Sequence, residues 1–145
     1  MYQHEFQKRV RYGETDQMGY VYYGNYAQYY EIGRVEMLRS LGMTYKEMEQ
    51  EMGVMMPVVN LEIRYLRPAR YDEMLTIKTT LRSLPDQKYI NFFVEIFNEE
   101  SKLINGGKVR LCFVDIKSGK TVPPPDKLME RLRPHFQDKS PDLSW

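Results

Sequence analysis

The 145-residue chain has few of the residues that metal, redox and disulfide chemistry require. It contains one cysteine, Cys112, and two histidines, His4 and His135, which lie near its opposite ends. A single cysteine excludes an intrachain disulfide framework and any multi-cysteine zinc or iron–sulfur site. The histidines do not form a zinc-binding pair such as His-Glu-x-x-His. We therefore expect a protein that works without a metal or a redox cofactor.

The sequence also lacks a strong charge of one sign and a long apolar run. Lys plus Arg is 21 and Asp plus Glu is 20, so the net charge is +1, whereas nucleic-acid-binding domains are usually strongly basic. No stretch approaches the ~20 apolar residues that a membrane span needs. Residues 1–5 show no basic region followed by an apolar run, as a secretory signal would. We expect a cytoplasmic protein that neither binds nucleic acid nor spans a membrane.

Three common catalytic signatures are missing as well. There is no Gly-x-Ser-x-Gly nucleophile elbow, no Gly-x-x-x-x-Gly-Lys-Ser/Thr phosphate loop and no Gly-x-Gly-x-x-Gly dinucleotide fingerprint. These absences argue against a serine α/β-hydrolase, a nucleotide triphosphatase and a dinucleotide-dependent oxidoreductase. Cys112 lies in the middle of an apolar run, where we expect a buried structural thiol and not a nucleophile.

The hydrophobic pattern that is present predicts helices combined with an antiparallel sheet. Apolar residues recur with period two in five segments, which we expect to be strands: residues 6–12, 59–65, 75–81, 89–97 and 108–116. The later links are short, as between antiparallel neighbours. Short helices are expected after Thr44 and at 126–133. The length fits one domain over residues 1–145, with an extended tail after about residue 134.

A long helix is predicted between the first two strands. One core-facing stripe at three- and four-residue spacing is expected between Gly24 and Leu41, and it consists of Tyr26, Tyr30, Gly33, Met37 and Leu41. Gly42 ends the helix. Asn25 is expected to cap its start, with Gln28 as its partner in a capping box.

Two features predict close packing around this helix. A glycine within a helix costs about 1 kcal/mol relative to alanine, so Gly33 indicates that another backbone comes close. Residues 89–97 are apolar on both faces, so both faces of that strand should be covered. One helix cannot cover both faces of a sheet, and a second copy of the chain is the simplest cover for the other.

Tyrosines and two carboxylates are concentrated around the start of the long helix. Seven of the 12 tyrosines lie between positions 12 and 30, which suits a half-buried cleft, an interface or the polar rim of a core. Glu14 and Asp16 stand on a polar loop just before the helix. Helix N–H groups stabilise a developing oxyanion, so Asp16 is a candidate nucleophile or general base; alternatively, it only caps a turn.

Two segments of the sequence resemble the 4-hydroxybenzoyl-CoA thioesterase family. They are Tyr-Gly-Glu-Thr-Asp-Gln-Met-Gly-Tyr-Val-Tyr-Tyr-Gly-Asn-Tyr at 12–26, continuing to Tyr29-Tyr30-Glu31, and Tyr-Leu-Arg-Pro-Ala-Arg-Tyr-Asp-Glu at 65–73. The resemblance covers about residues 6–116, and the first segment is the more specific. It implies an α+β hotdog fold, in which an antiparallel sheet wraps a long central helix, and acyl-CoA thioesterase activity.

The resemblance also implies roles for particular residues. The aspartate that matches Asp16 attacks the thioester or activates water, and the backbone N–H groups at Tyr23 and Gly24 bind the carbonyl oxygen. A histidine that stands at the position of Tyr23 in a subgroup active on short acyl chains is absent here. Two chains pair with the sites at their interface, so a homodimer or a dimer of dimers is expected. CoA enters only as part of the substrate.

Basic residues are candidates for binding the CoA phosphates. Arg67 and Arg70 follow Arg64 at spacings of three, and Lys88 lies in a later loop. The alternative, which the pattern alone favours, is ordinary surface charge at strand ends. Two other functions remain open. The chain could hydrolyse an acyl group carried by acyl carrier protein, or it could be a non-catalytic acyl-ligand-binding module. The sequence does not select the acyl group.

Overall fold

Three helices and seven strands form residues 1–136, the part of the chain that the computed structural model describes. The helices are α1 (Tyr26–Ser40), α2 (Tyr45–Glu51) and α3 (Asp126–Leu132). The strands are β1 (Tyr2–Arg9), β2 (Val54–Met55), β3 (Val58–Tyr65), β4 (Met74–Leu81), β5 (Tyr89–Phe97), β6 (Leu103–Cys112) and β7 (Val114–Asp115). Arg133–His135 form a 3-10 turn; the rest of the expected tail, residues 137–145, lies outside the described residues.

The five long strands form one antiparallel sheet in the order β1-β4-β5-β6-β3. This confirms the antiparallel pairing that the short links predicted. The strand order places β1 and β3 at the two edges of the sheet. The short strands β2 and β7 pair with each other as a separate ribbon.

The long helix α1 contributes one side to the core, as the sequence predicted. The five residues of the expected stripe are all buried: Tyr26, Tyr30, Gly33, Met37 and Leu41. The apolar members of the stripe form one hydrophobic cluster with strand residues such as Ile77 and Phe92, which are completely buried. The result is an antiparallel sheet around one long helix, and this arrangement leaves the start of the helix near one end of the sheet.

Gly33 allows α1 to approach β4 closely. A Cβ atom at this position would lie 2.5 Å from Thr79 Oγ1 and 2.8 Å from Ile77 Cγ2. The predicted close approach is therefore present. The neighbours, however, are side chains of β4 and not another backbone, because the helix packs on the face of a sheet whose side chains stand between them.

In the single chain the outer face of β5 is half-buried, and its predicted cover by a second copy stays a prediction. Ile90 and Phe92 point inward and are buried, whereas Phe93 points outward and is half-buried. The guanidinium of Arg82 lies 3.7 Å from the ring centroid of Phe93. Long cationic side chains on the sheet itself thus shield these outer aromatic rings.

Two strands begin earlier than the sequence predicted. β1 spans Tyr2–Arg9 and not residues 6–12, because its whole length pairs with β4. β6 begins at Leu103 and not at residue 108. Gly106 and Gly107 interrupt the apolar alternation there, and a Cβ atom at Gly107 would lie within 2 Å of the Glu62 carbonyl oxygen on β3. The close packing of β3 against β6 thus requires a glycine in β6, and this glycine hides the alternating apolar pattern of the strand in the sequence.

Candidate active site

A 3-10 turn, Tyr23–Asn25, leads directly into α1. The N–H of Asn25 donates to the Tyr22 carbonyl oxygen at 2.9 Å, and the N–H of Tyr26 donates to the Tyr23 carbonyl oxygen. The predicted cap is wrong in detail, because the Asn25 side chain accepts no hydrogen bond from the helix. Its amide instead donates to the Glu14 carbonyl oxygen at 2.8 Å, and so ties the turn to the preceding loop.

The N–H groups of Tyr23 and Gly24 have no hydrogen-bond acceptor among residues 1–136. They are the first two donors of a helical turn, and such donors have no partner within the helix. Both residues are exposed. A Cβ atom at Gly24 would lie 2.7 Å from a ring carbon of Tyr22. The two predicted oxyanion donors are therefore free to bind a ligand.

Asp16 is held in a tight loop by its own backbone and by its carboxylate. Its N–H donates to the Tyr20 carbonyl oxygen at 2.8 Å. Its Oδ1 atom accepts from the N–H groups of Met18 at 2.9 Å and Tyr20 at 3.2 Å. The turn-capping interpretation of Asp16 is thus correct, but it does not exclude chemistry, because Oδ2 has no partner among the described residues.

The structure brings Asp16 and Tyr23 to one open cavity of ≈ 320 Å³. Apolar and aromatic side chains supply most of its wall: Tyr20, Val21, Tyr26, Tyr65, Leu66 and Pro68, with Arg67 also lining it. Gly24 lines a neighbouring cavity of ≈ 520 Å³ between α1 and β3. The turn that carries both N–H groups therefore stands between the two cavities, and the first of them also contains the candidate carboxylate.

Glu14 is engaged elsewhere, although it is only two positions from Asp16. Its Oε1 atom accepts from Lys8 Nζ at 2.8 Å, from the Arg11 N–H at 2.7 Å and from the Tyr29 hydroxyl at 3.0 Å. Burial opposes ionisation of the carboxyl, but the hydrogen bonds from these three donors outweigh it and lower the pKa of Glu14. Glu14 therefore acts as an anchor for the loop.

Two tyrosine hydroxyls in the first turn of α1, those of Tyr26 and Tyr29, have a raised pKa. Burial is the main reason that the pKa of Tyr26 rises to about 12, and nearby Tyr65 and Glu73 add to the effect. Burial and the neighbouring carboxylate of Glu14 also raise the pKa of Tyr29. These two hydroxyls can donate hydrogen bonds but do not serve as bases. Asp16 is the only carboxylate among the described residues that line the cavity.

Two of the predicted CoA-binding residues lie beside this cavity. Arg67 lines it, and one of its guanidinium nitrogens donates to the Leu103 carbonyl oxygen at 2.8 Å. The Arg70 guanidinium lies 4.9 Å from the ring centroid of Tyr20, which is part of the cavity wall. Both arginines are exposed, so their charges are available to an anionic ligand at the mouth.

In the single chain Lys88 lies away from the cavity that contains Asp16, and its role in CoA binding stays a prediction. Lys88 immediately precedes β5, whose first residue, Tyr89, pairs with Cys112 at the end of β6. The cavity lies beside Tyr65, which pairs with Asn105 near the start of β6. Lys88 is therefore at the opposite end of the sheet. Strand order and direction decide this placement, and residue spacing does not contain them.

Tyr65 is the site residue that sequence reasoning missed. It is the last residue of β3, and its hydroxyl donates to the Tyr23 carbonyl oxygen at 3.1 Å. The only sequence signal was its place at the start of the second resembling segment.

For metals, residues 1–136 contain no cluster of three or more His, Cys, Asp or Glu side chains that could hold an ion.

Comparison with known proteins identifies the family. The sequence family model that describes the thioesterase-like superfamily matches residues 10–132 of this chain. The putative acyl-CoA thioesterase YneP of Bacillus subtilis is 37% identical over 114 residues, which are 78% of this chain and 80% of that protein. The acyl-CoA thioester hydrolase YbgC of Escherichia coli is 36% identical over 107 residues, 74% and 78% of the two chains. The chain therefore belongs to the thioesterase-like superfamily.

Solved structures agree with this assignment. The DHNA-CoA thioesterase from Staphylococcus aureus superposes with a TM-score of 0.80 at 31% identity, over 85% of this chain and 81% of that one. The α+β hotdog fold and the thioesterase prediction are thus confirmed at the level of the superfamily. No helix in residues 1–136 is both long and apolar enough to cross a membrane.

Proposed function

We propose that this protein hydrolyses acyl-CoA thioesters to a free acid and CoA, with Asp16 as nucleophile or general base. The single observation that carries this proposal is the joint placement of Asp16 and Tyr23 on one cavity wall. Asp16, whose Oδ2 atom has no partner among residues 1–136, lines this cavity together with Tyr23, and the turn at Tyr23–Asn25 begins with two N–H groups that have no acceptor among the same residues. Acyl transfer needs both groups, a base or nucleophile and an oxyanion site.

In the general-base mechanism, Asp16 takes a proton from a water molecule as the water oxygen attacks the thioester carbonyl. The carbonyl electrons move onto oxygen, and the N–H groups of Tyr23 and Gly24 hold the resulting oxyanion. Collapse of this intermediate breaks the carbon–sulfur bond, and the proton on Asp16 passes to the departing thiolate. The products are a carboxylic acid and CoA, and Asp16 returns to its ionised form.

In the nucleophilic mechanism, a carboxylate oxygen of Asp16 attacks the thioester carbonyl and expels the thiolate. The product of this step is a mixed anhydride, which water then hydrolyses to release the acid. A single turnover in ¹⁸O-labelled water can reveal the nucleophilic mechanism, because attack of water on the aspartyl carbon of the anhydride places ¹⁸O in Asp16. Label in that side chain supports the anhydride, and label only in the acid product supports general-base attack of water or attack of water on the acyl carbon.

We place the substrate's CoA phosphates near Arg67 and Arg70, and its acyl group against the aromatic wall. Both arginines lie beside the cavity, and guanidinium groups match phosphate geometry. Within the superfamily, the segment at residues 12–26 favours the 4-hydroxybenzoyl-CoA thioesterase branch, and an aryl ring would stack on Tyr23, Tyr26 and Tyr65. An assay with a panel of acyl-CoA substrates identifies the acyl group.

We further propose a homodimer that forms along the edge strand β3. Edge strands offer unpaired backbone groups, and β3 also exposes large apolar side chains: Val58 at 46%, Val59 at 48%, Leu61 at 42% and Tyr65 at 51%. The cavity of ≈ 520 Å³ runs beside it. A second copy paired on β3 would cover this surface and place both sites at the interface. A dimer of dimers would need a further contact.

The other two functions gain less support. The depression next to Arg67 contains Arg70 and Lys102, but also Glu73, Glu99 and Glu100, so it is not the basic patch that docking of acyl carrier protein would favour. A non-catalytic binding module would not need a carboxylate and a candidate oxyanion donor to line the same cavity, as Asp16 and Tyr23 do.

A thiol-release assay tests the proposal directly. The purified protein is given aryl-CoA, short-chain and long-chain acyl-CoA substrates, and the matching acyl groups on acyl carrier protein. Enzyme-dependent thiol release from CoA substrates, with an aryl-CoA among the best, supports the proposal. Release only from acyl carrier protein would favour the carrier-protein thioesterase, and tight acyl-CoA binding without release would favour the binding module.

A further inference from the structure

We propose that Tyr65 is a positioning residue for the oxyanion donors: its hydroxyl orients and polarises the peptide group that carries the Gly24 N–H. This inference rests on the proposed function and adds a residue from the sheet to the site. The hydroxyl of Tyr65 donates to the Tyr23 carbonyl oxygen at 3.1 Å. No other side-chain hydroxyl of the described chain donates to the carbonyl oxygens of the turn at Tyr23–Asn25.

The geometry of the peptide bond links this contact to catalysis. The Tyr23 carbonyl and the Gly24 N–H belong to one planar, trans peptide group, so they point in opposite directions. A hydrogen bond that fixes the direction of the carbonyl therefore fixes the direction of the N–H. Since oxyanion stabilisation depends on donors held in place before the reaction, this restraint acts on the transition state.

Tyr65 is itself well fixed. Its backbone pairs with Asn105 in the sheet, and its ring makes edge-on contacts with Tyr23 and Tyr26, at centroid distances of 6.4 Å and 5.4 Å. The Tyr23 carbonyl oxygen accepts a second hydrogen bond, from the Tyr26 N–H. Two donors on one carbonyl withdraw electron density from it, which makes the N–H of the same peptide a stronger donor, because linked hydrogen bonds polarise one another.

The kinetic test compares Tyr65→Phe with Tyr89→Phe in the full chain. Tyr89 is a half-buried strand residue at the far end of the sheet, so it controls for loss of a hydroxyl. Tyr65→Phe keeps the ring contacts and is expected to lower kcat about 3- to 10-fold. This factor corresponds to the free energy that one hydrogen bond contributes. KM should match that of the control, and the thermal midpoint should fall by no more than a few degrees, as expected for the loss of one hydrogen bond. An unchanged kcat, or a rise in KM alone, would overturn the positioning role.

A second measurement does not depend on turnover. The amide ¹⁵N resonance of Gly24 should move in Tyr65→Phe, because the carbonyl of the same peptide loses a donor, whereas the resonances of Gly106 and Gly107 should not. A stationary Gly24 resonance would contradict the inference. If Tyr65→Phe keeps full kcat while Asp16→Asn loses it, only the positioning role fails. A wild-type protein that releases no thiol would overturn the proposed function together with this inference.

Discussion

The side-chain amide of Asn25 donates to the carbonyl oxygen of Glu14 at 2.8 Å. The N–H of Tyr22 donates to the same oxygen at 2.9 Å. These two hydrogen bonds join the loop that carries Asp16 to the turn that carries the candidate oxyanion donors. The relative position of carboxylate and donors is thus set by a contact between residues 11 positions apart, and not by the helix alone.

Removal of the hydrogen bond between Asn25 and Glu14 should weaken the positioning of Asp16 relative to the turn at Tyr23–Asn25. Asn25→Ala deletes the donor to Glu14, and we expect a loss of about 0.5–1.5 kcal/mol in the free energy of unfolding. We also expect kcat to fall several-fold, because only the hydrogen bond from the Tyr22 N–H then holds the loop of Asp16 to the turn. Urea titration and steady-state thiol release measure the two effects. Gln50→Ala, at an exposed position of α2, is the control, and equal kcat values in the two variants would contradict the role of Asn25.

The Glu14 carboxyl should make stability depend on pH in the acid range. Its pKa in the folded chain is lowered from 4.5, so its contribution is complete above about pH 4.5 and is lost as the pH falls through the folded-state value. Glu14→Gln should therefore be less stable than wild type at pH 7 and lose less stability between pH 4.5 and pH 3. Unfolding free energies across this range test this. Glu49→Gln, at an exposed site, should follow wild type.

Turnover should fall strongly when Gly24 loses its N–H group and only slightly when a larger side chain is added at this position. Gly24→Pro removes one oxyanion donor, and loss of such a donor costs about 10²–10³ in kcat in other enzymes. Gly24→Ala adds a Cβ atom against the Tyr22 ring but keeps the donor. Because Tyr22 is 46% exposed, its ring can move away, and the effect should be mild. Equal losses in the two variants would show that bulk, and not the donor, matters.

Tyr23 should act through its backbone. Tyr23→Phe keeps both the N–H and the carbonyl group, so we expect kcat to remain within a few-fold of wild type. Circular dichroism confirms that the fold is retained. A severe loss of kcat in a folded Tyr23→Phe protein would mean that its hydroxyl takes part in the chemistry.

The edge strand β3 should decide the oligomeric state. Leu61→Lys places a charge on the exposed apolar part of β3, where Leu61 is 42% exposed, and we expect the dimer to dissociate. Thr76→Lys, on the outer face of β4, is the control and should remain dimeric. Light scattering at micromolar concentration measures both. A wild-type monomer with full activity, or a dimer that survives Leu61→Lys, would contradict this interface.

Periodicity and motif identity were sufficient to predict much of the molecule. The spacing of Tyr26, Tyr30 and Met37 predicted the buried side of α1, and the segment at 12–26 predicted the loop and turn that meet at the cavity. Three outcomes depend on tertiary contacts instead. The Asn25 amide binds the loop and not the helix, because Glu14 folds back onto the turn. Strand order separates Lys88 from the cavity, and the same order makes β3 an edge.

Asp16→Asn tests the central claim most directly. The variant can keep the hydrogen bonds that Oδ1 accepts from Met18 and Tyr20, but it removes the negative charge. Asp86→Asn is a matched control, because the Asp86 carboxylate accepts from the Lys88 and Tyr89 N–H groups at 2.7 Å each and lies at the other end of the sheet. Thiol release with the best acyl-CoA is measured for both. We expect Asp16→Asn to lose about 10²–10⁴ in kcat with KM retained, and Asp86→Asn to behave as wild type; near-native turnover by a folded Asp16→Asn would contradict the account.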